Sequence, residues 1–135
     1  MKLLIVDDSP SMRALVRQLC GEFATEVREC GNGAEAVAVF EEFKPDWTLM
    51  DLMMPEVDGL TATTGILTRC PGARVVIVTE MRSPEYRKAA LRAGACAFVS
   101  KENLHELLEL LANDRRAEDC PPCLDGARIS IPGPQ

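Results

Sequence analysis

Leu3-Leu4-Ile5-Val6-Asp7-Asp8-Ser9-Pro10, with Met12, Leu15, Val16 and Leu19 behind it, is the stretch that decides the architecture. Its apolar run, ending in the β-branched Ile5 and Val6, reads as a strand buried on both faces. The residues after it recur at the 3, 4, 7 spacing of an amphipathic helix. Ser9 offers an N-cap hydroxyl, and Pro10 falls in the first helical turn, where its missing N–H costs nothing. The strand therefore turns into a helix within a short link, and that link carries both aspartates.

The same unit repeats along the chain. Thr25 to Cys30 is a weaker strand, and Gly31-Asn32-Gly33 turns into a helix with Ala36, Val37, Phe40 and Phe43 on its apolar side, ended by Pro45. Trp47-Thr48-Leu49-Met50 is a third strand closed by Asp51. Pro55 and Gly59 break the chain before a helix near Leu60 to Thr68. Arg74 to Thr79 is the clearest strand, with Val75-Val76-Ile77-Val78 at its centre. An Ala-rich helix from Glu85 to Ala93 follows, then a turn at Gly94 and a strand from Cys96 to Ser100. The last helix runs from Glu102 to about Ala112, with Leu104, Leu107, Leu108 and Leu111 on one face. Strands of this kind, joined by helices and never by hairpins, predict a parallel five-stranded sheet with helices on both sides, a doubly wound (βα)5 domain. Periodicity alone leaves the strand order open.

From about Asn113 the pattern stops. Asp114, Arg115, Arg116, Glu118 and Asp119 lead into a segment of prolines, glycines and polar residues, so residues 1–113 are expected to form the domain and 114–135 a flexible or poorly structured tail. The 135-residue length suits one domain, and 47% hydrophobic with only 4% aromatic residues predicts an aliphatic core. A formal charge of −6 disfavours a nucleic-acid or anionic-membrane surface. No apolar run reaches the roughly 20 residues of a membrane-spanning helix. Cys20, Cys30, Cys70 and Cys96 stand singly in apolar segments, which reads as buried thiols in a reducing cytoplasm. The tail pair Cys120 and Cys123 has C-x-x-C spacing but supplies only half of a tetrahedral zinc site; an incidental pair in a loose tail is the expectation, with a site shared between two chains left open.

In an open parallel sheet, ligands bind beyond the carboxyl ends of the strands. Here those ends bring Asp7, Asp8, Asp51, Thr79 and the Ser100-Lys101 pair to one edge. Any one of them has an ordinary explanation, helix capping above all. Three carboxylates together repel unless a cation neutralises them, and Mg²⁺, which takes oxygen ligands and bridges carboxylates to phosphate, is the natural one, with Mn²⁺ able to replace it. A carboxylate nucleophile, a divalent ion, an ammonium and a hydroxyl suffice for phosphoryl transfer.

At these residues the chain resembles the response-regulator receiver family, whose stand-alone form is CheY-like. The resemblance spans about residues 1 to 113. It rests on Val6-Asp7-Asp8-Ser9, on Leu49-Met50-Asp51-Leu52-Met53-Met54-Pro55 with Asp58-Gly59, on Val78-Thr79 and on Lys101, and Asn32-Gly33-Ala34-Glu35-Ala36 looks like the family's second turn. It implies the flavodoxin/CheY-like strand order 2-1-3-4-5 and a single-domain response regulator of a two-component phosphorelay. On that resemblance Asp51 is the phosphoacceptor, Asp8, Asp51 and the Met53 carbonyl bind the metal, and Asp7 acts through water. Lys101 then pairs with the acceptor carboxylate and the phosphoryl oxygens. Thr79 is the hydroxyl that moves toward phosphate, and Phe98 the switch aromatic, for which a plain core phenylalanine is the competing reading. The implied partners are a histidine kinase or phosphotransfer protein and an unidentified downstream protein. The signalling face is the fourth helix, fifth strand and fifth helix, about residues 84 to 112, through which two copies could also pair. Such a chain catalyses only its own phosphorylation and dephosphorylation and is not otherwise an enzyme.

Two departures stand out. Glu80 follows Thr79 where the family has a small residue, and Glu102 follows Lys101 where it has proline, so the lysine is expected to approach differently. Met53 and Met81 hold the variable positions beside the site, and neither can orient a hydrolytic water. The competing readings are a pseudo-receiver that docks without being phosphorylated and, more remotely, a haloacid-dehalogenase-like phosphatase, whose D-x-D pattern the adjacent Asp7-Asp8 pair lacks.

Overall fold

The structure is a computed structural model that describes residues 1–54, 57–80 and 83–113. In chain order it comprises β1 (Lys2–Val6), α1 (Pro10–Cys20), β2 (Glu26–Cys30), α2 (Gly33–Phe43), β3 (Trp47–Met50), α3 (Gly59–Arg69), β4 (Val75–Thr79), α4 (Pro84–Arg92), β5 (Ala97–Ser100) and α5 (Leu104–Ala112). Short 3-10 turns cover Gly21–Phe23 and Lys101–Asn103. All strand pairings are parallel, in the order β2-β1-β3-β4-β5. The doubly wound architecture and the 2-1-3-4-5 order are those expected.

Why this sequence closes into three layers follows from which way each strand residue points. Leu4, Val6, Met50, Val75 and Ile77 face one side, where α2, α3 and α4 supply Ala36, Phe40, Phe43, Ala62, Ile66 and Ala90. Leu3, Ile5, Leu49, Val76, Val78 and Val99 face the other, against Val16 and Cys20 of α1 and Leu107 and Leu111 of α5. Every residue of β3 and β4 is buried, which is why those strands read as unbroken apolar runs. The edge strand β2 instead carries Glu26, Arg28 and Glu29, charges that discourage pairing with another chain.

The strand-to-helix turns at the carboxyl edge are held by capping side chains. Ser9 accepts from the Met12 N–H at 3.2 Å, Asn32 from Glu35 at 2.8 Å, Asp58 from Thr61 at 2.8 Å and Ser83 from Glu85 at 3.2 Å. α2 ends at Phe43, two residues before Pro45, with the capping Lys44 in the left-handed region at φ 53°. Two expectations need correction. Cys96 is exposed, because β5 begins only at Ala97 and Cys96 belongs to the turn after Gly94, whereas Cys20, Cys30 and Cys70 are buried as anticipated. The final helix does not start at Glu102: Ser100 caps a 3-10 turn by accepting from the Glu102 N–H at 3.1 Å, and α-helical geometry begins at Leu104. The expectations placed on Pro55, on Met81 and on residues 114–135 lie outside the described residues.

Candidate functional site

β1 and β3 are neighbours, whereas the chain leaves them toward opposite sides of the sheet, so a crevice opens at their carboxyl ends. The Asp51 N–H donates to the Val6 carbonyl at 2.9 Å and the Asp7 N–H to the Cys30 carbonyl at 3.0 Å, so both aspartates are still tied to the ladder as they enter it. Carboxylate oxygens of Asp7, Asp8 and Asp51 lie within 4.8 Å of one another. Asp7 and Asp51 are each only 5% exposed, while Asp8 stands at the open rim.

Lys101 completes the group from the end of β5. Its Nζ lies 2.8 Å from Asp7 Oδ2 and 3.5 Å from Asp51 Oδ1, and its side chain is 9% exposed. The lysine reaches both carboxylates although no peptide bond among the described residues is cis, and its shorter contact is to Asp7, not to Asp51. Asp7 is thus engaged at both oxygens, since Oδ1 also accepts from the Ser9 N–H at 2.9 Å. Asp51 Oδ1 accepts from the Leu52 N–H at 2.8 Å. Thr79 is buried at the end of β4, in register with Ser100.

Electrostatics follow from this packing. Burial pushes the Asp51 carboxyl up to about 6, and the Asp7 charge adds to the rise; Lys101 and the Leu52 N–H pull the other way without cancelling it. At neutral pH the carboxylate is mostly ionised. Burial disfavours the Lys101 ammonium, yet the hydrogen bond to Asp7 and the charges of Asp51, Asp7 and Glu80 outweigh that and raise its pKa. The lysine therefore stays a cation. Two acceptor-only carboxylates with one rim carboxylate are a hard oxygen donor set, and a divalent cation would favour the ionised Asp51 that burial and the Asp7 charge now disfavour. The residues present fit such an ion.

Of the other residues singled out from the sequence, Met53 lies in the loop after β3 with 54% of its surface exposed, and Glu80 is exposed at the end of β4. Phe98 is half-buried against the α2–α3–α4 core, with the Arg87 guanidinium 5.8 Å from its ring centroid. Two residues near the site make contacts that the sequence did not announce. A side chain at Gly59 would strike the backbone of Asp51 and Leu52, so the start of α3 can approach the acceptor loop only without a Cβ; its place after the capping Asp58 was the available hint. Arg13 donates from Nη1 to the Asp7 carbonyl at 2.6 Å and from Nε to Glu29 at 3.0 Å. An arginine on a helix ordinarily reads as a solvated charge, and nothing in its spacing says otherwise.

A doubly wound domain with an acidic cluster and a lysine at its switch point is the class that fold and site define. The chain belongs to the response regulator receiver domain family, whose model matches residues 3–112. The chemotaxis protein CheY of Halobacterium salinarum is 38% identical over 100 residues, covering 74% of this chain and 83% of that protein. CheY of Thermotoga maritima is 36% identical over 101 residues, covering 74% and 84%. Among solved structures, the response regulator domain of Thermotoga maritima CheB superposes with a TM-score of 0.75 at 28% identity, over 83% of this chain and 93% of that one. The BeF3-activated N-terminal receiver domain of Klebsiella pneumoniae RstA gives 0.74 at 26% identity, over 84% and 100%.

Proposed function

We propose that the chain is a response-regulator receiver that accepts a phosphoryl group on Asp51 from a phosphohistidine of a histidine kinase or phosphotransfer protein. The observation that carries this reading is the convergence of Asp7, Asp8 and Asp51 within 4.8 Å with Lys101 beside them. An oxygen of Asp51 attacks phosphorus in line, the P–N bond of the donor breaks as the O–P bond forms, and the imidazole leaves with a proton from solvent. Asp51 is ionised enough at neutral pH to do this without a base. The cation, Mg²⁺ or Mn²⁺, would be held by Asp8, Asp51 and the Met53 carbonyl, and supplies charge neutralisation at the phosphoryl oxygens. Asp7, already bonded at both oxygens to Ser9 and Lys101, suits a role through water. Lys101 shares its charge between Asp7 and Asp51 and turns to the phosphoryl oxygens once they arrive.

Thr79, buried at the end of β4, then moves toward the phosphoryl group, and Phe98 moves into the space it leaves. Phosphorylation in this way shifts the population of the α4–β5–α5 face between two arrangements that a downstream protein, or a second copy, distinguishes. The setting is the cytoplasm, and among the described residues no helix is long and apolar enough to cross a membrane. The related RstA domain described as BeF3-activated makes the same fluoride a suitable probe here.

Incubation with acetyl phosphate and Mg²⁺ tests the reading by intact mass. Wild-type chain should gain one phosphoryl group, the gain should vanish with EDTA, and Asp51→Ala should gain none. A chain that stays unmodified with donor and metal in excess, and whose partner binding ignores beryllofluoride, is instead a pseudo-receiver that docks without phosphorylation.

A further inference from the structure

The Asp7-Asp8 link must present one carboxylate to Lys101 and the next to the rim of the crevice, yet the Asp8 side chain is exposed and takes its direction from the backbone that carries it. That backbone is clamped from outside the acidic cluster. Arg13, on the first turn of α1, folds back so that Nη1 donates to the Asp7 carbonyl at 2.6 Å, the peptide that joins the two aspartates. Its Nε donates to Glu29 Oε1 at 3.0 Å, and Glu29 Oε2 is held in turn by Arg17 Nη1 at 2.7 Å. Glu29 stands opposite Ile5 in the β1–β2 register, so the relay Arg17–Glu29–Arg13–Asp7 ties the link to the edge strand and to the helix at once. The Arg13 side chain is 20% exposed and Glu29 28%, whereas Arg17, the outer member, is 51% exposed. The Arg17 hydrogen bond, with help from Arg13, lowers the Glu29 pKa and keeps that carboxylate charged.

We infer that Arg13, braced by Glu29, is a positioning residue for the divalent-cation site: by fixing the Asp7–Asp8 peptide it sets the direction of the Asp8 carboxylate. This rests on the metal-binding reading proposed above. The fork geometry matters, because a guanidinium can serve a carbonyl and a carboxylate from separate nitrogens in one plane, which an ammonium cannot reproduce.

The sign of the effect separates positioning from plain electrostatics. Arg13 is a positive charge near a cation site, so its removal acting through charge alone would tighten Mg²⁺ binding, and Arg13→Lys would change nothing. Positioning makes the opposite demand of both variants. Calorimetric Mg²⁺ titration of the full chain, well below its melting temperature, should give a Kd weakened about tenfold in Arg13→Ala and nearly as much in Arg13→Lys, the range usual for groups that orient metal ligands. Glu29→Gln should weaken binding less, and its effect should largely disappear in the Arg13→Ala background. Amide exchange without metal should quicken at Asp8 and Ser9 in Arg13→Lys, a variant that retains the charge and the fold. Arg13→Ala or Arg13→Lys binding Mg²⁺ as tightly as wild type, or more tightly, overturns the inference while leaving the site itself intact. A wild-type chain that takes up no Mg²⁺ overturns the metal reading and this inference with it.

Discussion

Replacing Asp51 by Asn should stabilise the metal-free protein, and by an amount that depends on pH in a defined way. In the folded chain burial, aided by the Asp7 charge, holds the Asp51 carboxyl at about 6, against 3.8 for the ordinary side chain. Each pH unit of such a gap corresponds to about 1.4 kcal/mol, so ionised Asp51 costs the fold about 3 kcal/mol relative to a neutral group of the same shape. The sign follows from proton linkage. Between the two values the folded state binds more protons than the unfolded one, so the stability associated with protonated Asp51 is complete below pH 3.8 and is lost as pH rises through about 6. Urea denaturation of wild type and Asp51→Asn in EDTA, across pH 4 to 8 in steps, measures the difference directly, and groups distant from the site cancel. Asn should be nearly neutral at the acid end and about 3 kcal/mol more stable than wild type above neutrality, with most of the change centred between the two values. Mg²⁺ should then restore wild type, since a ligand at 100 times its Kd adds about 2.7 kcal/mol to the folded state alone. A stability difference that is flat with pH, or one that favours wild type near neutrality without metal, would refute the reasoning.

Two further substitutions probe what surrounds the acceptor. Glu80→Ala should quicken phosphorylation by acetyl phosphate, because an exposed carboxylate at the mouth of the site repels the donor and competes for Lys101. The gain should shrink as salt screens that charge, and a rate unchanged at low ionic strength would remove Glu80 from the account. Gly59→Ala should cost about 1–3 kcal/mol in urea melting, since the new Cβ must displace the Asp51 and Leu52 backbone, a loss larger than the helix propensity that alanine brings. It should also slow phosphorylation, and a variant as stable and as reactive as wild type would show that α3 can move away freely.

How far the molecule could be read beforehand depends on what each residue reports. Runs such as Leu3–Val6 and Val75–Val78 are apolar without alternation because both faces are covered, so the strands and the class of fold were plain from composition and period alone. The order of those strands was not, since nothing in a buried strand names its neighbour; it came through family resemblance. Asp7, Asp8, Asp51, Thr79 and Lys101 were legible as a group because each terminates or follows a strand and the sheet brings those ends together. Arg13 was not legible, because its contact depends on a long side chain doubling back from α1 onto a carbonyl, a matter of reach and not of spacing. Cys96 misled for a related reason: apolar neighbours in sequence do not tell a strand residue from one in the turn ahead of it. Likewise Ser100 could be read as a strand end but not as the cap that delays α5 until Leu104.

The most direct measurement locates the ion. Crystals grown with Mn²⁺ and collected for anomalous scattering should show one strong site at coordinating distance from both the Asp8 and Asp51 carboxylates, with the Met53 carbonyl as the protein's remaining ligand and Asp7 behind a water. A chain that binds Mn²⁺ only elsewhere, or through Asp8 with Asp51 out of reach, would contradict the claim that these two carboxylates share the cation on which phosphoryl transfer depends.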